Sequence, residues 1–127
     1  MKIFQGIDIV SVRRIQNTIE KQGASFLKRV FTPAERRYCE SKRMKHEHYA
    51  ARFAAKEAVI KTLNDFRKSK LDLIEVEVKR QATGRPLIQI SKKTAARLKL
   101  PAGYRFEVSL SHERDFAIAT VLLILPA

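Results

Sequence analysis

Five alanines between residues 50 and 58, Ala50, Ala51, Ala54, Ala55 and Ala58, recur at the spacing of a helix surface. Side chains that small let a helix come very close to whatever packs on it, so the stretch from about Glu47 to Leu63 is predicted to be a long, central helix. One residue in it conflicts with burial. Glu57 has Phe53, Ala54, Ile60 and Lys61 as its helical neighbours, and an ionised carboxylate among such groups is costly unless something compensates it. Lys61, one turn on, is the local candidate for that partner.

A distant candidate lies near the N-terminus. Lys2–Val10 alternates as a strand does: Ile3, Gln5, Ile7 and Ile9 share one parity, and Phe4, Gly6, Asp8 and Val10 the other. Asp8 is a second carboxylate on an apolar face, at the strand's end. Asp8 and Glu57 can therefore converge where strand meets helix, and two carboxylates completed by water and a substrate phosphate is a common way to hold Mg²⁺. A helix cap or a pair with a nearby arginine is the alternative for Asp8, and pairing with Lys61 the alternative for Glu57.

The remaining elements follow from local signals. Ser11 caps a helix with Val12, Ile15 and Ile19 inward, and Gly23 stops it. A short helix, Ser25–Val30, precedes Thr32-Pro33-Ala34-Glu35, a capping box that starts a helix over Pro33–Ser41. Lys42–His46 reads as a basic linker. Beyond residue 70 the period becomes two. Leu71–Arg80 and Leu87–Ile90 form a hairpin around Thr83-Gly84-Arg85-Pro86; Ser91–Leu98 is a short helix; Tyr104–Leu110 and Phe116–Leu125 form a second hairpin around Ser111-His112-Glu113-Arg114-Asp115. Helices first and strands later make the class α+β with a largely antiparallel sheet, in one domain over residues 1–127.

Composition narrows the function. An apolar fraction of 45% argues against disorder, and no apolar run approaches membrane-spanning length. The N-terminus lacks the pattern of a signal peptide and Cys39 is the only cysteine, so a cytoplasmic protein without disulfides or a zinc site is expected. The net charge of +13 is uneven: residues 13–45 carry ten Lys/Arg against three Glu. That field suits an acidic partner. Arg13, Arg14, Lys21, Lys28 and Arg29 are the candidate docking residues, and no aromatic platform or nucleic-acid-binding signature accompanies them. Lys45, His46 and Arg52 form a candidate anion site, and His112 is a candidate base or phosphate ligand.

Gly6-Ile7-Asp8-Ile9-Val10, Arg14-Ile15, Phe31-Thr32-Pro33-Ala34-Glu35, Arg52-Phe53-Ala54-Ala55-Lys56-Glu57-Ala58 with Lys61, Thr83-Gly84-Arg85-Pro86 and Val108-Ser109-Leu110-Ser111-His112 together resemble the holo-[acyl-carrier-protein] synthases, the small bacterial 4′-phosphopantetheinyl transferases. The resemblance implies the fold of that family and transfer of the 4′-phosphopantetheine arm of coenzyme A to a serine of apo acyl carrier protein, releasing adenosine 3′,5′-bisphosphate, in fatty acid biosynthesis. It implies Asp8 and Glu57 as Mg²⁺ ligands and Lys61 beside the pyrophosphate. Lys45, His46 and Arg52 would meet the 3′-phosphate, and Gly84, Arg85, Pro86, Ser111 and His112 would line the coenzyme A site. His112, a metal-bound water or a carboxylate would accept the serine proton. The basic helix around Arg14 would dock the acidic carrier, and the assembly would be a homotrimer with sites between subunits, the second subunit contributing through its last hairpin. The sequence departs from the family in one place: residues 62–70 contain none of the glycines usual near the phosphates, so the expectation is either that Arg67, Lys68 or Lys70 substitutes with side-chain charge or that the loop is mobile. Two other functions compete with this one, a basic nucleic-acid-binding module and a coenzyme A-binding relative without turnover.

Overall fold

Pairing between the two ends of the chain organises the fold. In the computed structural model, which describes residues 1–66 and 70–127, β1 (Lys2–Ser11) runs antiparallel to β5 (Phe116–Leu125), from Lys2 opposite Leu125 to Ser11 opposite Phe116. On the other side of β5 lies β4 (Arg105–His112), also antiparallel, so the strand order is β1-β5-β4. A separate hairpin pairs β2 (Glu77–Arg80) with β3 (Pro86–Gln89). Between the first strand and this hairpin come α1 (Val12–Gln22), α2 (Ala24–Val30), α3 (Pro33–Glu40) and α4 (Lys45–Thr62); α5 (Lys92–Arg97) follows the hairpin. The α+β class with antiparallel sheets is as expected.

The local signals work as read. Ser11 Oγ accepts from Arg14 N at 3.3 Å, Gly23 closes α1 by donating to Ile19 O at 2.7 Å with φ +57°, and Thr32 and Glu35 exchange both bonds of the capping box. α4 packs across one face of the sheet. Ala54, Ala55 and Ala58 are fully buried there with Ala119, Val121 and Leu123 of β5. β1 comes so close to α4 that a Cβ at Gly6 would run into the carbonyl oxygen of Ala58. That contact selects the inward parity of β1. Gly6, Asp8 and Val10 turn toward the helices, while Ile3, Ile7 and Ile9 stay 53%, 52% and 62% exposed.

The structure differs from the sequence reading at three places. Leu73–Glu75 is a 3₁₀ turn rather than strand, so β2 is only Glu77–Arg80. The reason is local and tertiary together: Asp72 N donates to Glu75 Oε2 at 2.9 Å, and the ammonium of Lys56 donates to Leu73 O at 3.2 Å and Val76 O at 2.6 Å, which curls the chain around it. Second, α4 begins at Lys45, leaving only residues 42–44 as the linker; Met44 O accepts the first turn's Glu47 N at 3.0 Å. Third, Ser111 and His112 belong to β4 and pair with Ile118 and Ala117, so only residues 113–115 turn. Arg67 and Lys68, expected beside the phosphates, lie outside the described residues.

Lys56 also meets Glu35 Oε1 at 2.7 Å, with both side chains at 0% exposure. The same carboxylate accepts Thr32 N at 2.8 Å and Val78 N at 2.7 Å, tying α3, α4 and β2 to one point. Burial pulls the Lys56 pKa down, and the charge of Glu35 opposes that pull. Removing one member of such a pair strands the other charge, at a cost of about 3–5 kcal/mol. Lys56→Met is therefore expected to lower unfolding stability by about that amount in urea titrations; a change below about 1 kcal/mol would mean that the pair is dispensable.

Candidate active site

Asp8 and Glu57 do converge. The alternation of β1 brings Asp8 inward because Gly6, two residues earlier on the same parity, sits against α4. Glu57 is presented by α4 one residue after buried Lys56. Both line a cavity of about 320 Å³ whose wall includes Ser11, Arg14, Thr18, Phe26 and Phe53. Lys61 closes the group from the next turn of α4: its Nζ donates to Ile7 O at 2.8 Å and to Asp8 Oδ1 at 3.2 Å. Its charge therefore stands at the strand carboxylate, across 53 residues of sequence.

The donor set fits one kind of metal. Two carboxylates offer hard oxygen ligands, and among the described residues no group of three or more His, Cys, Asp or Glu is close enough to cage an ion. That excludes a closed zinc site among them but suits Mg²⁺, which keeps several waters and takes one or two carboxylates plus phosphate oxygens.

A second cavity, of about 390 Å³, is cationic. It is lined by Arg52, Arg80, Arg85, His48 and His112 with Pro86 and the β4 residues Val108, Ser109 and Leu110, and it shares no lining residue with the carboxylate cavity. Within one chain His112 is thus apart from Asp8 and Glu57. Its Nδ1 lies 2.9 Å from Glu47 Oε1. Gly84, at φ +87°, supplies the backbone turn that a side chain rarely adopts and so delivers Arg85 and Pro86 to the cavity wall. Arg85 Nη2 also reaches Glu107 Oε2 at 3.2 Å.

The three residues expected to form an anion site are divided. Arg52 is 2% exposed and lines the cationic cavity, whereas Lys45 and His46 line a smaller one with Arg43 and Arg114. Lys45 Nζ is 3.3 Å from Glu40 Oε1, and burial holds the His46 pKa down. Ser111 falls on the opposite face of β4 from His112, opposite Ile118 on the sheet surface that α4 leaves uncovered. Arg13, Arg14 and Lys21 of α1 and Lys28 of α2 are all exposed, with Arg14 at the rim of the carboxylate cavity.

Sequence reasoning missed Arg80, His48 and Glu47. His48 and Arg52 stand one turn apart on the face of α4 that carries Lys56, which was the available signal. Arg80 offered none, since its place depends on the hairpin.

The profile of the 4′-phosphopantetheinyl transferase superfamily matches residues 5–121. The chain is similar to a holo-[acyl-carrier-protein] synthase of Koribacter versatilis, 42% identical over 97% of this chain and 98% of that one. Among solved structures, a Chronobacterium ammoniagenes ACPS–CoA complex superposes with TM-score 0.85 at 30% identity, covering 100% of both chains. The Helicobacter pylori holo-[acyl-carrier-protein] synthase in complex with coenzyme A superposes with TM-score 0.81 at 31% identity, covering 94% of this chain and 99% of that one.

Burial, with the neighbouring charges of His112, Arg52 and Lys42 adding to it, lowers the His48 pKa from 6.5 to about 4. The unfolded chain therefore takes up a proton that the folded chain refuses between those values. Stability from keeping His48 neutral is complete above pH 6.5 and is lost as pH falls toward 4. His48→Gln is expected to flatten the decline of the urea midpoint between pH 7 and pH 4.5; an unchanged slope would assign that decline to other groups.

Proposed function

The chain belongs to the 4′-phosphopantetheinyl transferase superfamily and is a phosphopantetheinyl transferase enzyme, and from that premise we propose that it moves the 4′-phosphopantetheine arm of coenzyme A onto a serine of apo acyl carrier protein, in a Mg²⁺-dependent step of fatty acid biosynthesis. The observation that carries the reading is the convergence of Asp8, Glu57 and Lys61, from elements about fifty residues apart, at a cavity edged by the basic helix α1.

In the reaction the serine oxygen forms a bond to the β-phosphorus of coenzyme A while the bond from that phosphorus to the bridging oxygen breaks. Adenosine 3′,5′-bisphosphate departs with the bridging oxygen, and the hydroxyl proton passes to a base. Asp8 and Glu57 would hold Mg²⁺ at the pyrophosphate, where the ion, when bound, supplies charge neutralisation to the transferring and leaving oxygens. Lys61 adds a point charge fixed against β1, so little of its freedom remains to be lost when phosphate arrives. The carboxylates of this cavity, or His112 of a neighbouring subunit, would accept the proton. Arg52, Arg85 and His112 belong to the part of the site that holds the nucleotide end of coenzyme A.

Arg13, Arg14, Lys21 and Lys28 fit the acidic carrier, whose serine they would bring to the rim of the carboxylate cavity. The two cavities share no residue, and the sheet face away from α4 exposes Ile3, Ile7, Ile9 and Phe116. Both facts support a homotrimer closed through that face, in which the cationic cavity of one subunit serves the carboxylates of the next. Among the described residues no helix is long and apolar enough to cross a membrane, and a cytoplasmic reaction would keep buried Cys39 reduced.

Two experiments test the reading. Incubation with coenzyme A, Mg²⁺ and an apo carrier should add the mass of one phosphopantetheine to the carrier, and Glu57→Gln should lower kcat/KM by about a hundredfold or more. Coenzyme A binding with no mass gain on any carrier would leave a binding protein in place of a transferase. For the assembly, Ile7→Glu should convert a trimer to monomers in light scattering with the circular dichroism of the fold retained, and a trimer that survived it would exclude this face.

A further inference from the structure

Tyr38 of α3 takes no part in the scheme above, yet three cations surround its ring. Arg52 Cζ lies 4.0 Å from the ring centroid, Lys42 Nζ 4.8 Å and Arg80 Cζ 5.2 Å. The His48 ring meets the same ring edge-on at 5.6 Å. Charges of one sign repel, and among the described residues none of the three pairs with a carboxylate. His48, held neutral at ordinary pH, adds no charge of its own.

Arg52 is the most telling member. It is 2% exposed, its Nε is buried without a partner, and its Nη1 makes only a long intrahelical bond, 3.4 Å, to His48 O. A guanidinium taken from water and left with so few acceptors is normally balanced by an anion. Arg52 and Arg80 both line the cationic cavity, whose lining contains no carboxylate. The three cations share the negative π system of one aromatic ring, which offsets part of their mutual repulsion. Two guanidinium groups lining one cavity beside one ring match a dianionic phosphate monoester better than a singly charged diester oxygen.

We propose that Tyr38 is a positioning residue: its ring gathers Arg52 and Arg80 into a subsite for the terminal phosphomonoester of the donor nucleotide. The inference rests on the reading of coenzyme A as donor and identifies that group as its 3′-phosphate. Tyr38 acts through the arginines and through its π face. Among the described residues its hydroxyl makes no hydrogen bond, so phenylalanine should replace it and leucine should not.

The test is calorimetric titration of the full chain with adenosine 3′,5′-bisphosphate and, separately, with AMP, which lacks the 3′-phosphate. The native protein should bind the bisphosphate at least about tenfold more tightly. Tyr38→Leu should shrink that ratio severalfold and Tyr38→Phe should preserve it. Arg80→Gln, at an exposed position that carries little folding risk, should shrink the ratio as Tyr38→Leu does. A Tyr38→Leu protein that binds both ligands more weakly by the same factor would show a merely structural role. Equal damage from Tyr38→Phe, an unchanged ratio in Arg80→Gln, or a native protein that does not distinguish the ligands would each overturn the proposal. If the ratios behave as expected while no carrier gains mass, the subsite stands and the transferase reading falls. If the carrier is modified and the ratios do not move, only the role of Tyr38 falls.

Discussion

The ion pair of Lys56 with Glu35, sealed from solvent at 2.7 Å, fixes how α4 is turned. A long helix of alanines can slide or roll against a sheet with little penalty, because its surface is nearly featureless. A buried ammonium removes that freedom. It has to end at acceptors, and its acceptors, Glu35, Leu73 O and Val76 O, belong to α3 and the segment that leads into β2. The cost of burying the charge is met by hydrogen bonds that come from different elements, so the pair contributes orientation more than net stability.

Once the roll of α4 is set, its faces acquire separate duties. Ala54 and Ala58 go to the sheet, where β1 can approach only because residue 6 is glycine. Phe53 and Glu57 go to the carboxylate cavity, and His48 and Arg52 to the cationic one. The two cavities are therefore two sides of the same helix. A change that rotated α4 by even a fraction of a turn would move ligands in both at once.

Much of this was legible in the sequence, and the losses are specific. The capping box at Thr32, the stop at Gly23 and the strand Phe116–Leu125 depend on neighbours in sequence and were found as read. Asp8 and Glu57 stood out because each interrupts an apolar pattern. Hydrophobicity alone could not say which parity of β1 faces inward: the isoleucine parity is the more apolar, yet it is exposed, because close approach to Ala58 admits only the glycine parity. Leu71–Val76 alternates like a strand but is bent by a lysine some 17 to 20 positions away in sequence. Arg52 joined Arg80 rather than Lys45 and His46 for a similar reason, since the hairpin that brings Arg80 is distant from α4 in sequence and meets it only in the fold.

The pairing of β1 with β5 has a consequence for the order of assembly. Among the described strands residues 2–11 pair only with residues 116–125, so a nascent chain carries Asp8 on an unpaired strand until residues 116–125 have been made. The helices can collapse on one another early, through local contacts among Phe26, Phe31 and Tyr49. The strand carboxylate arrives last. Competence for chemistry is thus coupled to the making of residues 116–125, which supply the partner strand that holds Asp8 opposite Ala119.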